Sequence, residues 1–227
     1  MERSELAIII PAFNEERTIA QVVRDVSAYG IPVVVNDASE DRTAELAEAA
    51  GAVIVSHNNN QGYDEALNSG FKKADELGCK YAITFDADGQ HESSVINKYK
   101  EHLLKYDLVL GYRPKKARIS EVIIGIYFLM RFGIRDILCG MKGYNLQLYR
   151  RNGRFDHVNS IGSELAFTSV KSKCSFVQLP VPIHRRADIP RFGNIMRSNI
   201  RIINALVRII ILDLINKDRY MKNIQCH

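Results

Sequence analysis

An α/β fold, with a mostly parallel sheet covered by helices on both faces, is predicted by three features of the chain. Apolar runs of five or six residues recur through the first half. Amphipathic segments of helical period separate them, and the polar links between are short. Regular strand–helix alternation of this kind is the signature of crossover-connected parallel strands.

The elements follow in order. "LAIII" (6–10) reads as a buried strand ended by Pro11. The stretch "ERTIAQVVRDVSAYG" sets Ile19, Val22, Val23 and Val26 on one helical face and stops at Gly30. A second strand, "IPVVV" (31–35), leads through polar "NDASEDRT" to the helix "TAELAEAAG". A third, "AVIVS" (52–56), precedes the loop "HNNNQG" and the helix "YDEALNSGFKKADELG". "KYAITF" (80–85) is the fourth strand, and the helix "SSVINKYKEHLLKY" and strand "DLVLG" (107–111) follow. The second half is less regular. "RPKKARISEVIIGIYFLMRFGIRD" begins basic and turns strongly apolar, and "FVQLPVPIHRR" reads as a proline-broken strand at a sheet edge. "SNIRIINALVRIIILDLINK" is a long helical candidate. With no linker between the halves, residues 1–227 read as one domain in three parts: 1–112, 113–195 and a C-terminal amphipathic helix and tail (196–227).

Composition narrows the function classes. Hydrophobic residues make up 46% and charged residues 25% of 227, which is ordinary for a globular protein. The net charge of +5 permits an anionic partner without demanding one. Cys79, Cys139, Cys174 and Cys226 are widely spaced, so neither a zinc site nor a disulfide scaffold is expected and a reducing compartment fits. The N-terminus lacks a signal-peptide pattern, and no uncharged apolar run reaches spanning length, so a cytoplasmic location is expected. Basic residues without interleaved aromatics argue against nucleic acid.

In open parallel sheets, ligands bind beyond the carboxyl ends of the strands. There the chain places "PAFNEE", "NDAS", "HNNNQG" and "DADGQH" in succession. Taken singly, each has a plain structural reading. Asp37 with Ser39 could cap the next helix, Glu15 could favour a helix N-terminus, and Asn58 to Asn60 could be only a loop. Asp86 and Asp88 are harder to explain, because residues i and i+2 of an extended chain share a side and their charges repel. With the Gln90 amide they form a hard oxygen set suited to Mg²⁺ or Mn²⁺, on which a diphosphate is the natural occupant.

"IIIPAFNEERTI", "VVVNDASEDRT", "NQGYDEALNSGF", "ITFDADGQH" and "CGMKGYNLQLYRR" resemble, in order and spacing, family 2 glycosyltransferases of GT-A fold, nearest the dolichyl-phosphate mannosyltransferase-like branch that moves sugars onto polyprenyl phosphates. The resemblance runs from about residue 5 to about 195. It implies a donor that is a GDP- or UDP-linked sugar, contacted at base and ribose by Pro11, Phe13 and Glu15 and at the nucleoside by Asp37. It implies that Asp86, Asp88 and Gln90 hold the metal, with Asp88 catalytic, and that Arg113 and "GMKGYNLQLY" line the acceptor side. Glu164 occupies the acidic position that follows, and Arg185 or Arg186 resembles the loop arginine that contacts phosphate. Asn36 and Ala38 depart from the pattern, standing where an aspartate and a glycine are usual.

A polyprenyl phosphate acceptor is already anionic and needs no base, whereas a sugar hydroxyl needs one and Glu164 is the candidate. A non-catalytic nucleotide-sugar-binding subunit is the alternative of another class. Between residues 185 and 227 nine Arg or Lys face three Asp, and Arg197, Arg201 and Arg208 sit among Ile200, Ile203, Leu206, Val207 and Ile210. That pattern fits peripheral contact with an anionic membrane, or a packing helix that forms a homo-oligomer.

Overall fold

The computed structural model describes residues 1–114, 119–182, 202–205, 207–211 and 213. Seven strands form one sheet in the order β3-β2-β1-β4-β6-β5-β7. Their ranges are β1 Leu6–Ala12, β2 Ile31–Asn36, β3 Val53–Ser56, β4 Tyr81–Thr84, β5 Leu108–Tyr112, β6 Lys142–Asn145 and β7 Phe176–Pro180. All pairs are parallel except those of β6, which runs antiparallel between β4 and β5. The helices are α1 Ile19–Ser27, α2 Thr43–Ala49, α3 Tyr63–Glu76, α4 Val95–Leu103, α5 Ile119–Phe132, α6 Leu146–Asn152 and α7 Glu164–Lys171.

Both faces of the sheet are covered, as the continuous apolar strands require. Alternate residues of β1 serve opposite cores: Ala7 and Ile9 pack with Leu67 and Phe71 of α3, Phe128 of α5 and Phe167 of α7. Leu6, Ile8 and Ile10 pack with Ile19, Val22 and Val26 of α1 and with Ile96 and Tyr99 of α4. The predicted face of α1 is the face that is buried. Close approach of α3 to β1 depends on Gly70, where a Cβ would meet Ile9 Cγ2 at 2.3 Å.

Four expectations change. Strand β1 runs through Pro11 instead of ending there. Ile9 O accepts from Phe85 N on the β4 side, and Ala12 O accepts from Asp37 N on the β2 side. Pro11, two residues beyond Ile9, therefore points its nitrogen where β4 has already stopped, and no ladder bond is lost. Strand β6 is the second difference: "KGYN" is short and lacks β-branched residues, so it carries little strand signal. Third, Cys174 is disulfide-bonded, while Cys79 and Cys139 are free and buried. Finally, Ser39 and Asp37 do not cap α2; Asp41 Oδ1 accepts from Thr43 N instead, at 3.0 Å. The proline-containing strand does lie at the sheet edge, as β7. Among the described residues no helix is long and apolar enough to cross a membrane.

Candidate active site

Because β1, β2, β3, β4 and β5 share one direction, their carboxyl ends open on one rim, and a cavity of about 830 Å³ lies there. Pro11, Phe13, Glu15, Asp37, Asp86, Asp88, Gln90 and Arg113 all line it. Of the remaining sequence candidates, Arg185 and Arg186 lie outside the described residues. Glu164 is not among the lining residues.

The acidic pair is held by its own loop. Asp88 Oδ1 accepts from Gln90 N at 3.0 Å, closing a turn in which Gly89 takes φ +70°. Asp86 Oδ2 lies 2.9 Å from His91 Nε2. Burial favours the neutral form of Asp86, but the His91 hydrogen bond and the charges of His91, Lys142 and Arg113 outweigh it and hold the carboxyl below its ordinary value. Burial likewise opposes charge on His91, yet Asp86 raises it. The carboxylate rests against Gly140, where a Cβ would come within 2.3 Å of Oδ2. Thr18 of the α1 entry ties this loop to the first one by donating to Ala87 O at 2.7 Å.

On the opposite wall, Asp37 accepts from Gln61 N and Gly62 N, each at 2.8 Å, and lies 2.7 Å from His57 Nδ1. Its carboxylate thus fixes the loop after β3 at the cavity mouth. Glu15 opens the turn that leads into α1, its carbonyl accepting from Ile19 N and its own N–H donating to Thr43 Oγ1.

Arg113 follows β5. Its Nε and Nη2 donate to the two oxygens of Asp136 at 2.7 and 3.0 Å, and Glu121 lies 3.5 Å from Nη2. Burial disfavours the charge, but these two acids more than offset it, so the guanidinium stays protonated.

Glu164 is fully buried. Its carboxylate accepts from His157 N at 2.5 Å and Val158 N at 3.2 Å, and meets His157 Nδ1 at 2.9 Å. Burial raises its carboxyl above the ordinary value, the Asp156 charge adding to that against the His157 contacts. These bonds brace a loop in which Asn159, Ile161 and Gly162 all have positive φ, with Ile161 facing the cavity. Buried Lys142 holds the same loop by donating to Gly162 O at 3.0 Å.

Sequence reasoning gave no individual role to His91 or Ile161, and it placed Gly140 and Lys142 only within the acceptor-side segment "GMKGYNLQLY". The histidine was within reach, since it ends the "DADGQH" stretch; the other three are joined to the site only by the antiparallel β6 and the α6–α7 loop.

Metal fit can be judged from this donor set. Two carboxylates and an amide converge on one cavity wall, and Asp86 is held ionised, as a hard cation requires. Among the described residues no cluster of three His, Cys, Asp or Glu forms a metal centre. The residues fit Mg²⁺ or Mn²⁺.

Comparison with known proteins gives concordant findings. Residues 7–135 match the model of the family described as "Glycosyl transferase family 2". The UDP-N-acetylglucosamine–dolichyl-phosphate N-acetylglucosaminyltransferase of Methanococcus voltae is 33% identical over 132 residues, covering 49% of this chain and 53% of that protein. The dolichyl-phosphate hexose transferase of Haloferax volcanii is 25% identical over 197 residues, covering 81% and 84%. The relatives matched at 33% identity are spanned over only 53% to 61% of their length. Among solved structures, glucosyl-3-phosphoglycerate synthase of Mycobacterium tuberculosis with Mn²⁺, UDP and glucosyl-3-phosphoglycerate superposes at TM-score 0.67 and 17% identity, covering 89% and 79%. That likeness concerns the fold, which is GT-A.

Proposed function

Since the chain belongs to glycosyl transferase family 2, we propose that it transfers a sugar, with inversion, from a nucleotide-diphosphate sugar to a polyprenyl phosphate at a membrane surface. The observation that carries this reading is the position of two groups. Arg113, a cation fixed by Asp136, lines the same cavity as Asp86 and Asp88, whereas Glu164 is buried, is not among the lining residues, and is occupied by backbone donors.

A phosphate acceptor suits that arrangement. Its oxygen is already an anion, so it attacks the anomeric carbon without surrendering a proton. The new C–O bond forms as the bond to the nucleoside diphosphate breaks, the electron pair leaving on the diphosphate and the anomeric configuration inverting. Arg113 orients the incoming anion with a permanently charged donor. Asp37 and the loop it braces, with Pro11, Phe13 and Glu15, form the nucleoside end of the cavity. Asp86, Asp88 and Gln90 would hold Mg²⁺ or Mn²⁺, which neutralises charge developing on the leaving diphosphate. Arg185 or Arg186 would contact phosphate from the segment outside the described residues. UDP-linked sugars come first among donors, because the Methanococcus voltae relative is named for one; GDP-linked sugars are the second set.

The test is a thermal-shift screen of UDP, GDP and their sugars with and without Mn²⁺, followed by transfer to polyprenyl phosphate. A nucleotide at a hundred times its dissociation constant stabilises the fold by about 2.7 kcal/mol. The reading is lost if no nucleotide gives a metal-dependent shift, or if a binding nucleotide sugar is never transferred to polyprenyl phosphate.

A further inference from the structure

Helix α5 leaves Arg113 and the cavity edge and carries a feature that catalysis does not use. Val122, Ile123, Ile126, Leu129 and Met130 are all exposed, Met130 to 83%. At 100° per residue these five positions fall within an arc of about 120° on one side of the helix. The opposite side is the one that packs: Ile124 and Phe128 join the core, and Glu121, the only acid on the helix, is buried. A surface helix ordinarily turns charged residues to water, so an exposed arc made wholly of aliphatic side chains and methionine signals a covering partner.

The C-terminal helical residues repeat the arrangement. Ile202, Ala205 and Ile209 are buried, while Ile203, Val207 and Ile211, at successive i+4 steps, are exposed. Asp213 ties this segment to α5 and α7, its carboxylate lying 3.7 Å from Arg131 Nε and 2.8 Å from Lys171 Nζ.

We infer that the exposed arc of α5, together with Ile203, Val207 and Ile211, is the docking face of the protein on an anionic lipid bilayer. The inference rests on the polyprenyl-phosphate reading and adds to it which surface meets the membrane. Charge selects the occupant. Between residues 113 and 135 the sequence holds six Arg or Lys and one Glu before Asp136. Arg131 at the end of the arc is 62% exposed, and Arg208 adjoins Val207. A second copy docked through the same face about a two-fold axis would set this basic stretch against the same stretch of its partner. An anionic leaflet instead receives the apolar arc below its headgroups and the cations among them. Docked so, the cavity edge at Arg113 lies at the end of α5 from which a lipid-borne phosphate arrives.

The test is co-flotation of the full chain with phosphatidylcholine vesicles, with and without phosphatidylglycerol, at low and high salt. The wild type is expected to float with the phosphatidylglycerol vesicles at low salt. Ile126→Glu and Met130→Glu should each lower that partitioning by about tenfold or more, because a carboxylate replaces apolar surface at the interface. Both side chains face outward, so melting temperatures should not change. Transfer to a water-soluble short-chain prenyl phosphate should persist in both variants. That reaction separates the two claims: its absence in the wild type strikes the proposed function, whereas flotation speaks to the docking face. The inference is overturned if the wild type does not float, if either variant floats as well as the wild type, or if light scattering finds a dimer that Met130→Glu dissociates.

Discussion

Replacing Glu164 separates a catalytic base from a loop brace. Alanine removes every acceptor that the carboxylate supplies. Val158 N keeps a second partner, Asp156 Oδ1 at 2.9 Å, but His157 N donates to Glu164 alone. A donor left unsatisfied costs about 1–3 kcal/mol, and the one buried methylene lost adds about 0.8 kcal/mol. Relief of the buried carboxylate's desolvation offsets part of this, leaving a destabilisation of about 1–3 kcal/mol for Glu164→Ala. Glutamine can keep its oxygen toward His157 N and Val158 N, so Glu164→Gln should cost less than about 1 kcal/mol. The titration has a definite sign. The folded carboxyl lies above 4.5, so between 4.5 and that raised value the native state binds more protons than the unfolded one, and Glu164's contribution to stability falls as pH rises. The Gln variant lacks that fall and should gain on the wild type across the same window. Urea titrations at stepped pH read both effects. For activity, Glu164→Gln should keep kcat within a few-fold with an unaltered pH profile. A loss of about 10²–10⁴, the worth of a general base, with stability intact would refute the brace and restore the hydroxyl acceptor.

Two further substitutions probe the walls of the cavity. Gly140→Ala should leave the fold intact but abolish the Mn²⁺-dependent thermal shift with nucleoside diphosphate, since the new Cβ would lie 2.3 Å from Asp86 Oδ2; an unchanged shift would show that Asp86 is not needed where it stands. Asp136→Ala should lower stability by about 3–5 kcal/mol by stranding the Arg113 guanidinium, read as a lower urea midpoint.

The sequence made the parallel half readable because each of its elements carries its own period. β1, β2 and α1 are visible as apolar runs and an apolar stripe whether or not their neighbours are known. The convergence of polar groups on one rim follows from direction alone, which is why eight candidates line a single cavity. Glu164 was legible as an acid at the family's acidic position but not as the brace of a loop. Its partners are backbone N–H groups seven and six residues earlier, and no side-chain pattern reports where a loop's N–H groups point. Lys142 fails for a related reason. The sequence placed it only within the acceptor-side segment "GMKGYNLQLY", and the antiparallel insertion of β6 between β4 and β5 is what buries it.

The departures at Asn36 and Ala38 show how a one-residue step divides structural from ligand-facing groups. Successive residues at a strand end point to opposite sides. Asn36, the last residue of β2, turns inward, and its Oδ1 accepts from Ser39 N at 3.1 Å. That bond closes the turn in which Ala38 takes φ +59°, a conformation costing an alanine about 1–2 kcal/mol. Ser39 Oγ in turn accepts from Asn14 N at 2.9 Å, so the turn also fixes the first loop. An amide performs this closure without a buried charge, whereas an aspartate here would set a second carboxylate beside Asp37. The turn after β2 therefore presents one acid to the cavity, Asp37, already accepting from two backbone N–H groups. Asn14 and Asn60 line the same cavity, and under the proposed function their amides, with backbone groups, are expected to discriminate one base from another.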